Sequence, residues 1–224
     1  MNGGNMGVLL MLMTVGGVMA AIVLLFVSYL AKMTWLRTFV FGGVAVWFVF
    51  YAAMLIGFSI FSSEYVLAQN EPKEFCGFYI DCHMHTAVTG VRTAKTIGDR
   101  TANGEFYIVK MKVFSDAKET TLGLITVDAK ILDDQKRAYQ RDLAAEANLG
   151  EQPPFETKIA PAQSFEKEIV FDLPADAKAP RLDLKEGYGI DHAIEAVLVD
   201  DEDSIFHKRN YFKIAQQTNI AGVK

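Results

Sequence analysis

Two uncharged apolar runs near the N-terminus limit what this chain can fold into more than any other feature. From Val8 to Leu30 and from Thr38 to Phe61, 23 and 24 residues respectively, the only ionisable groups are the phenols of Tyr29 and Tyr51. At 1.5 Å per residue, a helix of that length crosses a hydrocarbon core of ~30 Å. A cleaved signal peptide would need a basic leader, and Met1–Gly7 contains no Lys or Arg, so both runs are expected to remain as helices. The short connection Ala31–Arg37 carries Lys32 and Arg37, which by the positive-inside bias puts it in the cytoplasm and both chain ends outside. Trp35 suits the interfacial belt. The expected location is therefore a membrane crossed twice, with the rest of the chain on the periplasmic or extracytoplasmic face.

Small residues recur within the runs, at Gly16, Gly17, Ala20 and Ala21 and at Gly42, Gly43 and Ala45. They predict close helix packing, within the hairpin first and against a partner helix as the alternative. No Asp, Glu, Lys, Arg or His interrupts either run, which argues against a pump, ion channel or proton relay built from this chain alone. An anchor or docking surface fits better.

Charge is distributed unevenly. Two of the 22 basic residues precede Glu64, leaving 20 against all 27 acidic ones downstream. A soluble part of that sign is a poor partner for nucleic acid or an anionic lipid surface. The chain lacks the glycine-rich fingerprints of nucleotide binding and any G-x-S-x-G nucleophile context, so nucleotide and hydrolase chemistry have no motif support.

Downstream of the runs, Ser62–Lys73 reads as a polar connector with the breaker Asn70-Glu71-Pro72. The organisation expected is a two-helix anchor over 1–63, a linker over 64–73, a β-domain over 74–214 and a flexible tail over 215–224. The β-branched content of 80–97, the alternation of Tyr107, Val109, Met111 and Val113, and further runs at 121–132, 138–141, 164–171, 181–184, 193–199 and 206–214 predict about eight short strands. Asn103-Gly104 is expected to turn a hairpin, Asp133-Asp134-Gln135 another, and Leu143–Ala147 to form a loop or one helical turn. Short strands without a long amphipathic helix point to an antiparallel sandwich.

The stretches Gly104–Val113, Ile131–Gln135 before Tyr139, and Ile159–Ser164 before Val170–Pro174 resemble the telokin-like family of immunoglobulin-fold domains of unknown function from bacterial surface proteins. The resemblance spans roughly 91–184, and Ala162 stands where the family's turn usually carries Gly. It implies an immunoglobulin-like extracytoplasmic binding or assembly module rather than an enzyme. The family is usually tethered by a lipoprotein or single-span N-terminus, so a helical hairpin is unusual for it.

Residue types that carry chemistry concentrate in Phe75–His85, which holds both cysteines and two of the four histidines. On an oxidising face Cys76 and Cys82 are expected to form a disulfide. The competing reading is a copper or zinc site using Cys82, His83, Met84 and His85, completed from Cys76, Met111, His192 or His207. On a strand, His83 and His85 share one face while Cys82 and Met84 share the other. The spacing excludes a C-x-x-C-H haem attachment. The C-x3-C-x3-H-x2-M pattern of the binuclear copper site in oxidase subunit II is also absent, although the layout of two helices followed by an outside β-domain is similar. The acidic run Asp200–Asp203 lacks EF-hand spacing and reads as a solvated turn. Phe206–Arg209 reads as the start of an edge strand guarded by Lys208 and Arg209. The leading expectation is a non-enzymatic accessory or assembly subunit that binds another membrane protein and needs no cofactor. Copper handling, with a place beside a respiratory complex, is the alternative.

Overall fold

The computed structural model describes residues 3–77 and 81–214. The expected flexible tail lies outside them. The described residues divide into two compact units, one of 3–63 with Gly189–Arg209, the other of Glu64–Tyr188 with 210–214.

In the first unit, α1 (Gly3–Leu30) and α2 (Thr34–Phe61) form an antiparallel pair, both long and apolar enough to cross a membrane. The residues turned inward recur at Gly7, Leu10, Thr14, Val18, Ala21, Leu25 and Ser28 in α1, and at Leu36, Val40, Val44, Trp47, Tyr51, Met54 and Phe58 in α2. That spacing of three and four is the coiled-coil repeat. Polar groups lock it at two levels: Trp47 Nε1 donates to Thr14 Oγ1 at 2.9 Å, and Ser28 Oγ donates to the Met33 carbonyl at 2.6 Å. Gly16, Gly17, Gly42 and Gly43 fall off this seam, with open space where a side chain would stand. The expectation that these glycines pack the hairpin is therefore corrected. Of the small residues noted, only Ala21 is buried on the seam.

The same unit contains α4 (Gly189–Glu195) and the turns after it, where the sequence predicts a strand over 193–199. The reason lies in tertiary structure: Leu198 and Val199 bury within the helical unit rather than in a sheet. Phe206 adopts a left-handed conformation at φ 65°, so the following strand starts only at Asn210.

The second unit is a β-sandwich. One sheet has the order β1-β9-β8-β5-β6, from Tyr65–Leu67, Asn210–Lys213, Arg181–Glu186, Val127–Leu132 and Ala138–Gln140. The other has the order β2-β3-β4-β7, from Lys73–Gly77, Asp81–Ile97, Arg100–Ser115 and Ser164–Leu173. All pairings are antiparallel except β1 with β9. The expected linker thus contains a strand, and its last residue, Lys73, is buried, donating to the Leu184 carbonyl at 2.8 Å.

Between the sheets, alternate residues of β4 (Val109, Met111 and Val113) pack with Ile169, Phe171, Ile131, Leu182, Leu184 and Phe212. The opposite face of β4 buries Phe106 and Ile108 under a smaller cluster with Val170 and Ala145 of α3 (Leu143–Glu146). A strand apolar on both faces there explains why the brief helical turn exists. Asp142 caps it, accepting from Ala145 N at 2.9 Å.

The β3–β4 turn falls at Gly98-Asp99, with Gly98 at φ 58°, not at Asn103-Gly104 as the sequence suggests. Asn103 and Gly104 lie inside β4, where their backbone N–H groups donate to the Asp172 carboxylate at 2.8 and 3.1 Å. Gly104 is needed for close approach, since a Cβ there would collide with the Leu173 carbonyl and Pro174. The β5–β6 turn falls where expected. Buried Asp133 organises it, accepting from Gln135 N, Arg137 N, Arg137 Nε and Tyr139 Oη.

Candidate functional site

Cys76 of β2 and Cys82 of β3 are joined as a disulfide, in a hairpin whose register pairs Phe75 with Met84. The intervening Phe78, Tyr79 and Ile80 lie outside the described residues. Closing so short a loop contributes about 2 kcal/mol in the chain-entropy account, and it ties β2 to β3 at their ends.

Beyond the disulfide, β3 alternates as its sequence implies. Met84 is buried in the core, in the same cluster as Phe75 and Met111. His83 is exposed on the opposite face and His85 is half-buried beside it. The expected donor set therefore does not come together: with Cys82 oxidised and Met84 and Met111 in the core, only the imidazoles of His83 and His85 remain as a pair.

What joins them is Asp116, a residue with no prior place in the motif. His83 Nδ1 lies 2.7 Å and His85 Nε2 3.4 Å from Asp116 Oδ1. His85 also stacks on Phe114 with ring centroids 5.0 Å apart. The ladder explains the meeting: Met84 pairs with Ser115, and Asp116 N donates to the His83 carbonyl at 3.2 Å, extending β4 by one residue. The hydrogen bond from His83, reinforced by His85 against partial desolvation, holds the Asp116 carboxyl below the usual carboxylate range. His83 also lines a cavity of about 380 Å³ with Ala117, Lys118, Glu119, Thr120 and Leu122.

What places Asp116 is the hairpin register, which the turn read from the sequence misplaces. The turn at Gly98-Asp99, together with the register shifts at Val88/Gly90 and Ala94/Thr96, brings Asp116 beside His83, whereas a turn at Asn103-Gly104 would put residues about ten positions further along opposite the histidines. Chemically, one carboxylate between two imidazoles orients both rings and shares their protons, leaving His83 Nε2 and His85 Nδ1 as the nitrogens not engaged by Asp116.

Among the described residues, the tightest three-ligand arrangement is elsewhere, in the helical unit. There, atoms of His192, Glu195 and Asp203 lie within 4.8 Å of one another. His192 Nδ1 already bonds Glu195 Oε2 at 3.0 Å, and Arg209 Nε already neutralises Asp203 Oδ1 at 3.0 Å. The acidic run folds on itself, with Asp203 N donating to Asp201 Oδ1 at 2.9 Å.

No curated protein matches this sequence. In solved structures, the chain is similar to the secreted protein MPT63 of Mycobacterium tuberculosis, at 8% identity and a TM-score of 0.41, covering 68% of this chain and 98% of that one. It is also similar to an uncharacterised β-sandwich protein of Clostridium difficile 630, at 11% identity and a TM-score of 0.34 over 69% and 95% of the two chains. A conserved hypothetical protein of Bacillus anthracis matches at 16% identity and a TM-score of 0.34 over 51% and 89%. Over residues 80–194, slightly more than half its length, the sequence matches the family described as a domain of unknown function, DUF4352. The chain, with its disulfide-tied sandwich carrying the paired histidines, therefore belongs to the DUF4352 family.

Proposed function

We propose that the protein is a non-enzymatic accessory or assembly subunit, held in a bacterial inner membrane by its two helices and presenting an immunoglobulin-like sandwich on the extracytoplasmic face. The observation that carries this reading is the helix pair itself, whose outward surface is apolar and whose positive residues, Lys32 and Arg37, sit at one end only. The disulfide supports an oxidising side for the sandwich. The glycines left open on the outward faces of α1 and α2 support lateral docking of a partner helix. Protease added to intact spheroplasts is expected to remove the sandwich while leaving a helical fragment in the membrane. Digestion only after lysis would reverse the orientation, and release of the intact chain by alkaline carbonate would end the membrane reading.

A second reading is favoured by the convergence of His83 and His85 on Asp116. Without sulfur donors, this site suits Zn²⁺ or Cu²⁺ rather than Cu⁺, because imidazole and carboxylate are the harder ligands. Titration of the purified full-length protein with each metal tests it. Binding abolished by His83→Ala together with His85→Ala would establish the reading, and equal binding by that variant and the parent would remove it.

A further inference from the structure

Between β8 and β9 the chain leaves the sandwich for 21 residues, Gly189–Arg209, and packs within the helical unit. Its contacts with the helices are specific. Tyr51 Oη donates to the Val197 carbonyl at 2.7 Å, and the Ser59 and Ser204 hydroxyls meet at 3.3 Å. Lys208 N donates to Ser62 Oγ at 2.9 Å, and the Val199 carbonyl closes on Gly7 so tightly that no Cβ could fit. Leu198 and Val199 are buried there, whereas Ile190 (71%), Val197 (47%), Ile205 (48%) and Phe206 (72%) stay exposed.

Depth decides what those four side chains face. A hydrocarbon layer of ~30 Å takes about 20 helical residues. Measured from Arg37, it ends near Gly57, so Tyr51 lies about 9 Å inside the boundary. That matches the 5–10 Å to which interfacial elements sink their apolar side. At such a depth a backbone carbonyl needs an internal donor, which Tyr51 supplies to Val197.

We propose that Gly189–Phe206 is a monotopic membrane element, seated in the lipid interface remote from Lys32 and Arg37, with Ile190, Val197, Ile205 and Phe206 against acyl chains. The inference rests on the membrane reading of the helix pair. Lipid is the occupant because the segment is held directly against α1 and α2, at Gly7, Tyr51, Ser59 and Ser62, and the outward faces of those helices are apolar and face the same bilayer. Attraction to anionic headgroups plays no part, since the stretch has six acidic residues and no Lys or Arg before Lys208. One of the six is already suited to an interface. Burial, opposed by the Asp203 N–H and aided by Glu195, Asp203 and Glu202, pushes the Asp201 carboxyl up to about 7.

Spin labels on single cysteines test the proposal in the full-length protein in zwitterionic nanodiscs, since the native cysteines are paired. Labels at Ile205→Cys and Phe206→Cys are expected to collide several-fold more with oxygen than with a water-soluble nickel chelate, relative to Lys178→Cys on the sandwich. A label at Phe39→Cys on α2 reports the hairpin independently. If it reads as lipid while both segment labels read as water, the segment inference fails alone. If all labels read as water, the membrane reading fails too. Segment labels shielded from both reagents would mean a protein covers the surface, and would overturn the lipid assignment.

Discussion

At the scale of single residues, three carboxylates behave differently because their surroundings differ. Asp116 and Asp133 both have depressed pKa values: Asp116 through His83 first, Asp133 through Arg137, its backbone N–H and Tyr139, which together outweigh burial. Below its usual range, such a carboxyl favours the folded state above about pH 4, and that contribution is lost as pH falls through the folded value. Asp133→Asn is therefore expected to lower the melting temperature at pH 7 and to flatten its fall on acidification, measured by thermal denaturation from pH 7 to pH 3. Asp201 has the opposite sign. Its raised pKa means that the packed segment binds more protons than the released one, so packing weakens as pH rises from about 4 towards 7 and is level above. Asp201→Asn should remove that slope, read as amide exchange of residues 196–205 at pH 5 and pH 8. Equal protection at both values in the parent would contradict the assignment.

At the scale of elements, the sandwich rests on β4, whose two faces feed two clusters. Truncating Met111 to Ala removes a fully buried side chain between the sheets and should cost about 2–5 kcal/mol, checked by denaturant unfolding. Gly104→Ala is expected to cost about 1–3 kcal/mol because backbone atoms must move to admit the methyl group. A change below about 0.5 kcal/mol, the size of an ordinary surface substitution, would show that β4 and the residues after β7 separate there easily. Reducing the Cys76–Cys82 bond should destabilise by about 2 kcal/mol without unfolding the sandwich, since the loop it closes is short. The element-level expectations that succeeded were those set by local pattern: alternation in β4, β-branched content in β3 and the Asp133 turn. Those that failed, the Asn103-Gly104 turn and a strand over 193–199, had local chemistry that a distant partner overrode. Asp172 holds Asn103 and Gly104 in the ladder, and the helical unit gives Leu198 and Val199 somewhere to bury.

At the scale of the whole molecule, the chain alternates between its units, so that Gly189–Arg209 belongs with helices more than a hundred residues earlier. The units should respond differently to heat. In detergent, near-ultraviolet and β-sheet signals are expected to be lost in one transition while helical circular dichroism persists, because water is not available to replace the helices' backbone hydrogen bonds. Simultaneous loss of both signals would mean that the units stabilise each other. The sequence alone determined the two long apolar helices, the net acidity of the chain from Glu64 onward, most strands and the candidacy of Cys76, Cys82, His83 and His85, because these depend on composition and on periods of two and about 3.6. Tertiary structure alone decided three things: that Met84 serves the core rather than a metal, that Asp116 joins the histidines, and that 189–209 leaves the sandwich. Each depends on register or on burial against residues far away in sequence, which no local period encodes.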